Sequence, residues 1–335
     1  MPSRMTPKSS RPPLAKLPLN SSSCSVQIPL RRGIRLFDVR AVFAALLLFA
    51  SATTATAACI GAGERGLEEL ENLAFRTPAI AVQRANALLA APAAAGAAAE
   101  YRATLHAIAA EAYRQLGQSE LALTKARQGL DALGGSSASD LRVRLRLARA
   151  VALQANDRTS EGIAELDAAM RGIDPQSKAA ACVQKDRGWM LYDEGEIERG
   201  LLDLTRAYEL LRVHDDAPQR MITAGRLAAA YSSAREFEQA EQLLNETISY
   251  FMASGAVSRL ATTYDRLGRA FVAQGKWAEA HDAFEQMRYR ATLIGDTVAT
   301  AYAHIRMCGV HIEQDVLVAA EQDCAVAERT LASAR

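Results

Sequence analysis

The sequence predicts an all-α, right-handed superhelical solenoid of helix pairs, and three observations predict it. Half of the 335 residues are hydrophobic but only 6% are aromatic, and strong helix formers (Ala, Leu, Glu, Arg) outweigh β-branched types. A pattern of small and bulky residues returns about every 40 positions from Ala110 to Cys308, the mark of stacked repeats. No segment after residue 63 is apolar enough to cross a membrane, so the helices must bury their apolar faces against one another.

The chain begins differently. Residues 1–34 are rich in Pro, Ser and basic residues without helical periodicity, and read as disordered or as a start codon placed too early. Residues 35–57 read as a signal peptide: a flank with Arg31, Arg32, Arg35 and Arg40, the apolar run Ala41–Ala50, and Ala55-Thr56-Ala57 as a small-residue cleavage site. Cleavage is expected at Ala57 and Ala58, which leaves a periplasmic solenoid of residues 58–335. Two other readings stay open. Residues 41–63 carry no charge and are long enough for an uncleaved anchor. Cys59 stands where a lipid could be attached, although Thr56-Ala57-Ala58 lacks the usual leucine. Residues 1–57 hold eight Lys/Arg and the single acid Asp38, so the overall charge of +1 conceals a remainder of 31 basic and 37 acidic residues, net −6. A mildly acidic body argues against general nucleic-acid binding.

The clearest repeat unit is Tyr264-x2-Leu267-Gly268-x2-Phe271-x3-Gly275-x-Trp277-x2-Ala280-x3-Phe284. It resembles the tetratricopeptide family in nearly every consensus position. Gly268 and Ala280 are small enough for two antiparallel helices to approach closely, Phe271 and Phe284 fill the groove between them, and Gly275 suits a turn of positive φ. The small position of the first helix recurs as Ala110, Ala150, Gly188, Ala228, Gly268 and Cys308, and that of the second as Ala122, Gly162, Gly200, Ala240, Ala280 and Ala320. The bulky position before the turn reads Tyr113, Leu153, Leu191, Tyr231, Phe271 and His311; the turn reads Gly117, Asp157, Gly195, Arg235, Gly275 and Asp315. This frame predicts a partial repeat at 66–91 and repeats at about 99–131, 141–172, 180–213, 219–252, 258–292 and 298–334. Its period exceeds the usual tetratricopeptide length of about 34, and linkers such as Leu133–Asp140 and Val213–Pro218 carry the excess. The last helix, near Val316–Leu331, is followed by no polar capping helix, so a partner or a further part of a longer protein is expected to cover it.

No catalytic site is expected, and neither cofactor nor metal. Gly61-Ala62-Gly63-Glu64-Arg65-Gly66 matches a dinucleotide-binding string, but it follows a signal peptide rather than a strand. Gly275-Lys276-Trp277 is a repeat turn rather than a phosphate loop. His304 and His311 can share a helix face, but no ligand cluster accompanies them. Cys308 and Cys324 occupy facing positions of the last repeat, and in an exported protein a bridge between them competes with the reading as two buried thiols. A Cys59–Cys182 bridge would span several repeats, which disfavours it.

First helices of tetratricopeptide repeats line a concave, peptide-binding face. In this register its lining is Arg114, Arg144, Lys185, Trp189, Tyr192, Arg226, Arg266, Arg269 and Arg306, a basic stripe on an acidic body. Guanidinium groups hold carboxylates bidentately, and Trp189 with Tyr192 can supply apolar area. A protein or peptide partner is expected, acidic or bound by its C-terminus; the competing reading is that Arg is abundant and Trp189 packs against the next repeat. The carboxylate-clamp set of chaperone adaptors is not reproduced, because Trp189 stands where that pattern has Asn.

Finally, Asp186-Arg187-Gly188-Trp189-x2-Tyr192-x2-Gly195 followed by Asp203-Leu204-x2-Ala207-Tyr208 is similar to the periplasmic sensor region of bacterial membrane GGDEF diguanylate cyclases, an arrangement covering residues 59–335. In that group a membrane helix and a cyclase domain follow the repeats. The resemblance implies a non-catalytic sensory input module for cyclic-di-GMP signalling; the alternative is a stand-alone periplasmic or lipid-anchored scaffold for assembling complexes. Oligomers could form through the last helix.

Overall fold

The computed structural model describes Cys59 and residues 66–333. The expected disordered start, the signal peptide, its cleavage at Ala57 and Ala58, the anchor reading and most of the Gly61–Gly66 string lie outside the described residues. Among the described residues there are fifteen helices and no strand: α1 (Glu68–Arg76), α2 (Pro78–Ala90), α3 (Pro92–Ala95), α4 (Ala99–Gln115), α5 (Ser119–Leu133), α6 (Ser139–Gln154), α7 (Thr159–Met170), α8 (Lys178–Asp193), α9 (Ile197–Val213), α10 (Ala217–Ser233), α11 (Phe237–Ser254), α12 (Val257–Gln274), α13 (Trp277–Leu293), α14 (Thr297–Glu313) and α15 (Leu317–Ser333). None of these helices is long and apolar enough to cross a membrane.

Local chemistry sets where helices start. Pro78 and Pro92 open α2 and α3, where a fixed φ is favourable and no N–H is needed. Ser177, Asp216 and Asp296 accept from backbone N–H groups three residues on, at 3.1, 3.1 and 2.8 Å. Within each of the six pairs from α4/α5 to α14/α15 the turn is built the same way. The N–H of Gln118, Arg158, Glu196, Glu236, Lys276 or Val316 donates to the carbonyl of Tyr113, Leu153, Leu191, Tyr231, Phe271 or His311 at 2.8–3.0 Å. This is the six-to-one bond of a Schellman ending, which requires a left-handed residue between. That residue is Gly117, Asp157, Gly195, Arg235, Gly275 or Asp315, all at φ between 58° and 84°.

Small residues let the paired helices close. A Cβ on Gly162 would stand 2.9 Å from the Ala150 carbonyl oxygen, and one on Gly200 2.9 Å from that of Gly188. The core is accordingly a chain of clusters, each shared by neighbouring helices; Phe284, Met287, Tyr302 and Met307 form one with Phe271 and Trp277 beside them. Each second helix packs on the next first helix, and successive first helices such as α4 and α6, or α10 and α12, also touch. The second helices make no comparable contact with one another, so the first helices line the inside of the curve. At the far end α15 buries Ala320 and Ala327, while Leu317 and Val318 are 63% and 71% exposed.

The four cysteines among the described residues are paired. Cys308 and Cys324 join α14 to α15 with Cα atoms 5.5 Å apart. Cys59 and Cys182 are also joined, Cα to Cα 5.9 Å across a separation of 123 residues, which corrects the expectation that a bridge spanning several repeats is disfavoured. Cys59 packs against Ala181, Leu210 and Leu211, beside its partner on α8, and Glu71 of α1 ion-pairs with Arg144 of α6. With its sulfur bonded to Cys182, Cys59 has no thiol for lipid attachment.

Candidate functional site: the concave arginine face

The inner face is built from charged residues held between repeats. Asp186 of α8 accepts from Arg226 of α10 at 2.6 Å, and Asp265 of α12 accepts from Arg306 of α14 at 2.9 Å. The partners lie 40 and 41 residues apart, one repeat in each case. Buried Lys185 donates to Gln219 at 2.9 Å and has Asp186 at 3.7 Å. Arg114 donates to Glu111 of its own helix at 3.0 Å, and Arg144 is buried against Glu71. Of the predicted lining, these five cations therefore have partners within the chain, as a cation withdrawn from water must.

The aromatic pair sits among the arginines. Trp189 packs against Tyr192 with ring centroids 5.1 Å apart, and the Arg226 and Arg266 guanidiniums lie 5.6 and 5.7 Å from the Trp189 centroid. The Tyr192 hydroxyl is hydrogen-bonded to Ser233 at 2.9 Å. Trp189 thus serves as the platform on which two arginines rest, and the residue itself is partly buried. Arg266 has room because Gly225 has no side chain: a Cβ there would stand 2.9 Å from an Arg266 terminal nitrogen. Arg269 is exposed.

Asp193, Asp265 and Arg259 of this face were not singled out from the sequence, and Asp186 was noted only as the start of the Asp186–Tyr208 stretch. The one-repeat spacing of Asp186–Arg226 and Asp265–Arg306 was the available signal, since it places each pair at the same height on adjacent first helices. Asp193 accepts from Gln154 at 2.8 Å, and burial pushes its carboxyl up to about 6 against the opposing pull of Arg226 and Arg269. Because that value is raised above the unfolded one, its contribution to stability is full below about pH 4 and is lost as pH rises through 6. Asp193→Asn is expected to remove this slope and to stabilise the protein by about 1 kcal/mol at pH 7. Urea midpoints of both proteins at pH 4.5 and 7 measure it, and a parallel pH dependence in the two would count against the assignment.

His304 and His311 lie together outside this face. Asp323 of α15 is 2.8 Å from His304 and 3.1 Å from His311, and the His311 ring is 5.1 Å from that of His281. The His304–Asp323 hydrogen bond ties α14 to α15. Among the described residues no group of three or more His, Cys, Asp or Glu is placed to hold a metal.

No protein-family model and no curated protein matches the sequence. Solved structures do match in fold. The apo form of RapI superposes with a TM-score of 0.57 at 14% identity, covering 79% of this chain and 94% of its own. A signal-transduction ATPase with numerous domains from Pyrococcus horikoshii, which carries a tetratricopeptide repeat sensor, gives 0.58 at 14% identity over 80% of this chain and 42% of its own. A Rap protein complexed with Competence and Sporulation Factor gives 0.51 at 14% identity, over 75% and 73%. The chain is a helical repeat solenoid of the tetratricopeptide type.

Proposed function

We propose that this protein is a non-catalytic binding module whose concave face takes an acidic protein segment. One observation carries the reading: the guanidiniums of Arg226 and Arg266, from successive first helices, rest on the single ring of Trp189, and Arg269 on the same helix as Arg266 is exposed. Arginine forks in a partly desolvated groove select carboxylates by charge and geometry. Two of the structurally similar proteins are consistent with such a use, one bearing its repeats as a sensor and the other complexed with a factor. The setting is the periplasm; the two disulfides, which persist in oxidising compartments, support it. Within that setting the module is the sensory input part of a cyclic-di-GMP signalling protein, on the resemblance of the Asp186–Tyr208 stretch.

Capture from periplasmic extract, with competition by polyglutamate, tests the binding role. Arg266→Glu with Arg269→Glu is expected to weaken capture of the competed species by roughly tenfold or more. Undiminished capture would count against the groove. An open reading frame that continues past Arg335 into a hydrophobic helix and a GGDEF domain is the result the sensory role requires; a stop codon there leaves a scaffold.

A further inference from the structure

The second helices of the six pairs differ in length. α5, α9, α11, α13 and α15 have 15 to 18 residues, whereas α7 has 12. It stops at Met170; Arg171 is extended at ψ 110° and Gly172 turns the chain at φ 100°. Where a further turn of α7 would run beside the start of α6, a cleft of about 260 Å³ lies between the two. Its floor is apolar, with buried Val143 and partly buried Ile173 belonging to one core cluster. Three arginines line it, Arg142, Arg146 and Arg171, together with Ser137 and Ser139, and no acidic residue does. Two of these arginines are anchored through one nitrogen each. Arg142 Nη2 donates to the carbonyls of Gly134 and Ser136 at 2.8 and 2.9 Å, and Arg146 Nη1 donates to Glu165 at 2.7 Å. These anchors hold the side chains and leave the other nitrogens of both forks unbonded among the described residues. Glu165 also pairs with Arg149 at 3.1 Å, so one carboxylate serves two guanidiniums. Arg142 and Arg171 are in no ion pair among the described residues.

We propose that this cleft binds a small organic anion, with its phosphate or carboxylate head on the three guanidiniums and its apolar body on Val143 and Ile173. The site is separate from the concave face. Arg142 and Arg146 stand two residues to either side of Arg144, which is buried against Glu71, and two residues along a helix are about 200° apart around it. The volume suits a small molecule, since sites for drug-sized ligands begin at about 300 Å³. The start of α6 and the end of α7 meet at the cleft with opposite partial charges, so the arginines decide its sign. Planar forks with unused N–H groups grip the paired oxygens of a carboxylate or phosphate, and a neutral or cationic ligand gains nothing from them.

Calorimetric titration of the oxidised full chain at low ionic strength tests this, with phenyl phosphate and phenylacetate as probes and 2-phenylethanol as the neutral control. Saturable binding of at least one anion is expected, and none of the alcohol. Arg142→Gln and Arg171→Ala should each weaken it by roughly tenfold or more. Arg171→Ala is the decisive variant, because that side chain is exposed and holds no other group in place. The protein carrying Arg266→Glu with Arg269→Glu should bind the anion as the wild type does. Tighter binding of phenyl phosphate assigns a phosphate monoester as the head group, and tighter binding of phenylacetate a carboxylate; either supports the site. Absence of saturable binding by both anions, equal binding of the alcohol, or affinity undiminished in both cleft variants overturns it. Loss of binding in the concave-face variant also overturns it, by placing the anion on the other side of the helix row. The groove reading is decided separately, by capture from extract.

Discussion

Cys59→Ala is expected to lower the unfolding free energy of the oxidised protein by about 3–5 kcal/mol. The Cys59–Cys182 bridge closes a loop of 123 residues that contains the first helix pairs, from α1 to the start of α8. Closing so long a loop removes much of the freedom of the unfolded chain, about 5 kcal/mol in the chain-entropy view against about 3 for the 16-residue separation of Cys308–Cys324. Replacing Cys59 is the cleaner variant, because Cys182 is fully buried and its free thiol packs as a small apolar group. Repeat arrays are stabilised through neighbour contacts. The bridge joins the segment before the first pair directly to α8, so its loss should also broaden the transition. Denaturation without reductant measures both effects, and equal midpoints for Cys59→Ala and wild type would show that the bridge contributes nothing.

The second large effect is at Gly268, where α12 meets α13. A Cβ there would fall 2.6 and 2.7 Å from two ring carbons of Phe284, which is 1% exposed at the centre of its cluster. The ring has nowhere to retreat, since Met287, Tyr302 and Met307 pack around it. Gly268→Ala is therefore expected to cost about 2–3 kcal/mol through overpacking. Gly309→Ala supplies the contrast. Gly309 is also inside a helix, but nothing lies within 4 Å of its Cβ position. There alanine should stabilise by about 0.5–1 kcal/mol, because glycine is the poorer helix former. The opposite signs are the checkable result: if both substitutions stabilise, close helix approach at Gly268 is not limiting.

Much of the architecture was legible before any coordinate. The turn column Gly117, Asp157, Gly195, Arg235, Gly275 and Asp315 was read from spacing, and each of these residues is left-handed in the structure. A single glycine would not have justified that reading in so Ala-rich a chain, and Arg235 alone would have argued against it. The column was readable because small, bulky and turn positions recur together at a period near 40. The concave face was less legible. The register picked out Arg114, Arg226, Arg266 and Arg306, since helical spacing determines which side of a first helix a residue occupies. It did not show that Arg114, Arg226 and Arg306 are already paired with Glu111, Asp186 and Asp265, nor that Arg259 stands among them.

By itself, then, the sequence determined the all-α class, the helix pairs and the side of each first helix that faces inward, because these follow from periodicity and turn chemistry acting over a few residues. Only the tertiary structure decided that Cys59 meets Cys182, that Trp189 supports Arg226 and Arg266, and which carboxylates pair with Arg226 and Arg306. Those outcomes depend on how successive pairs stack. Small rotations between neighbouring pairs decide which side chains of different repeats meet, and no local pattern encodes them.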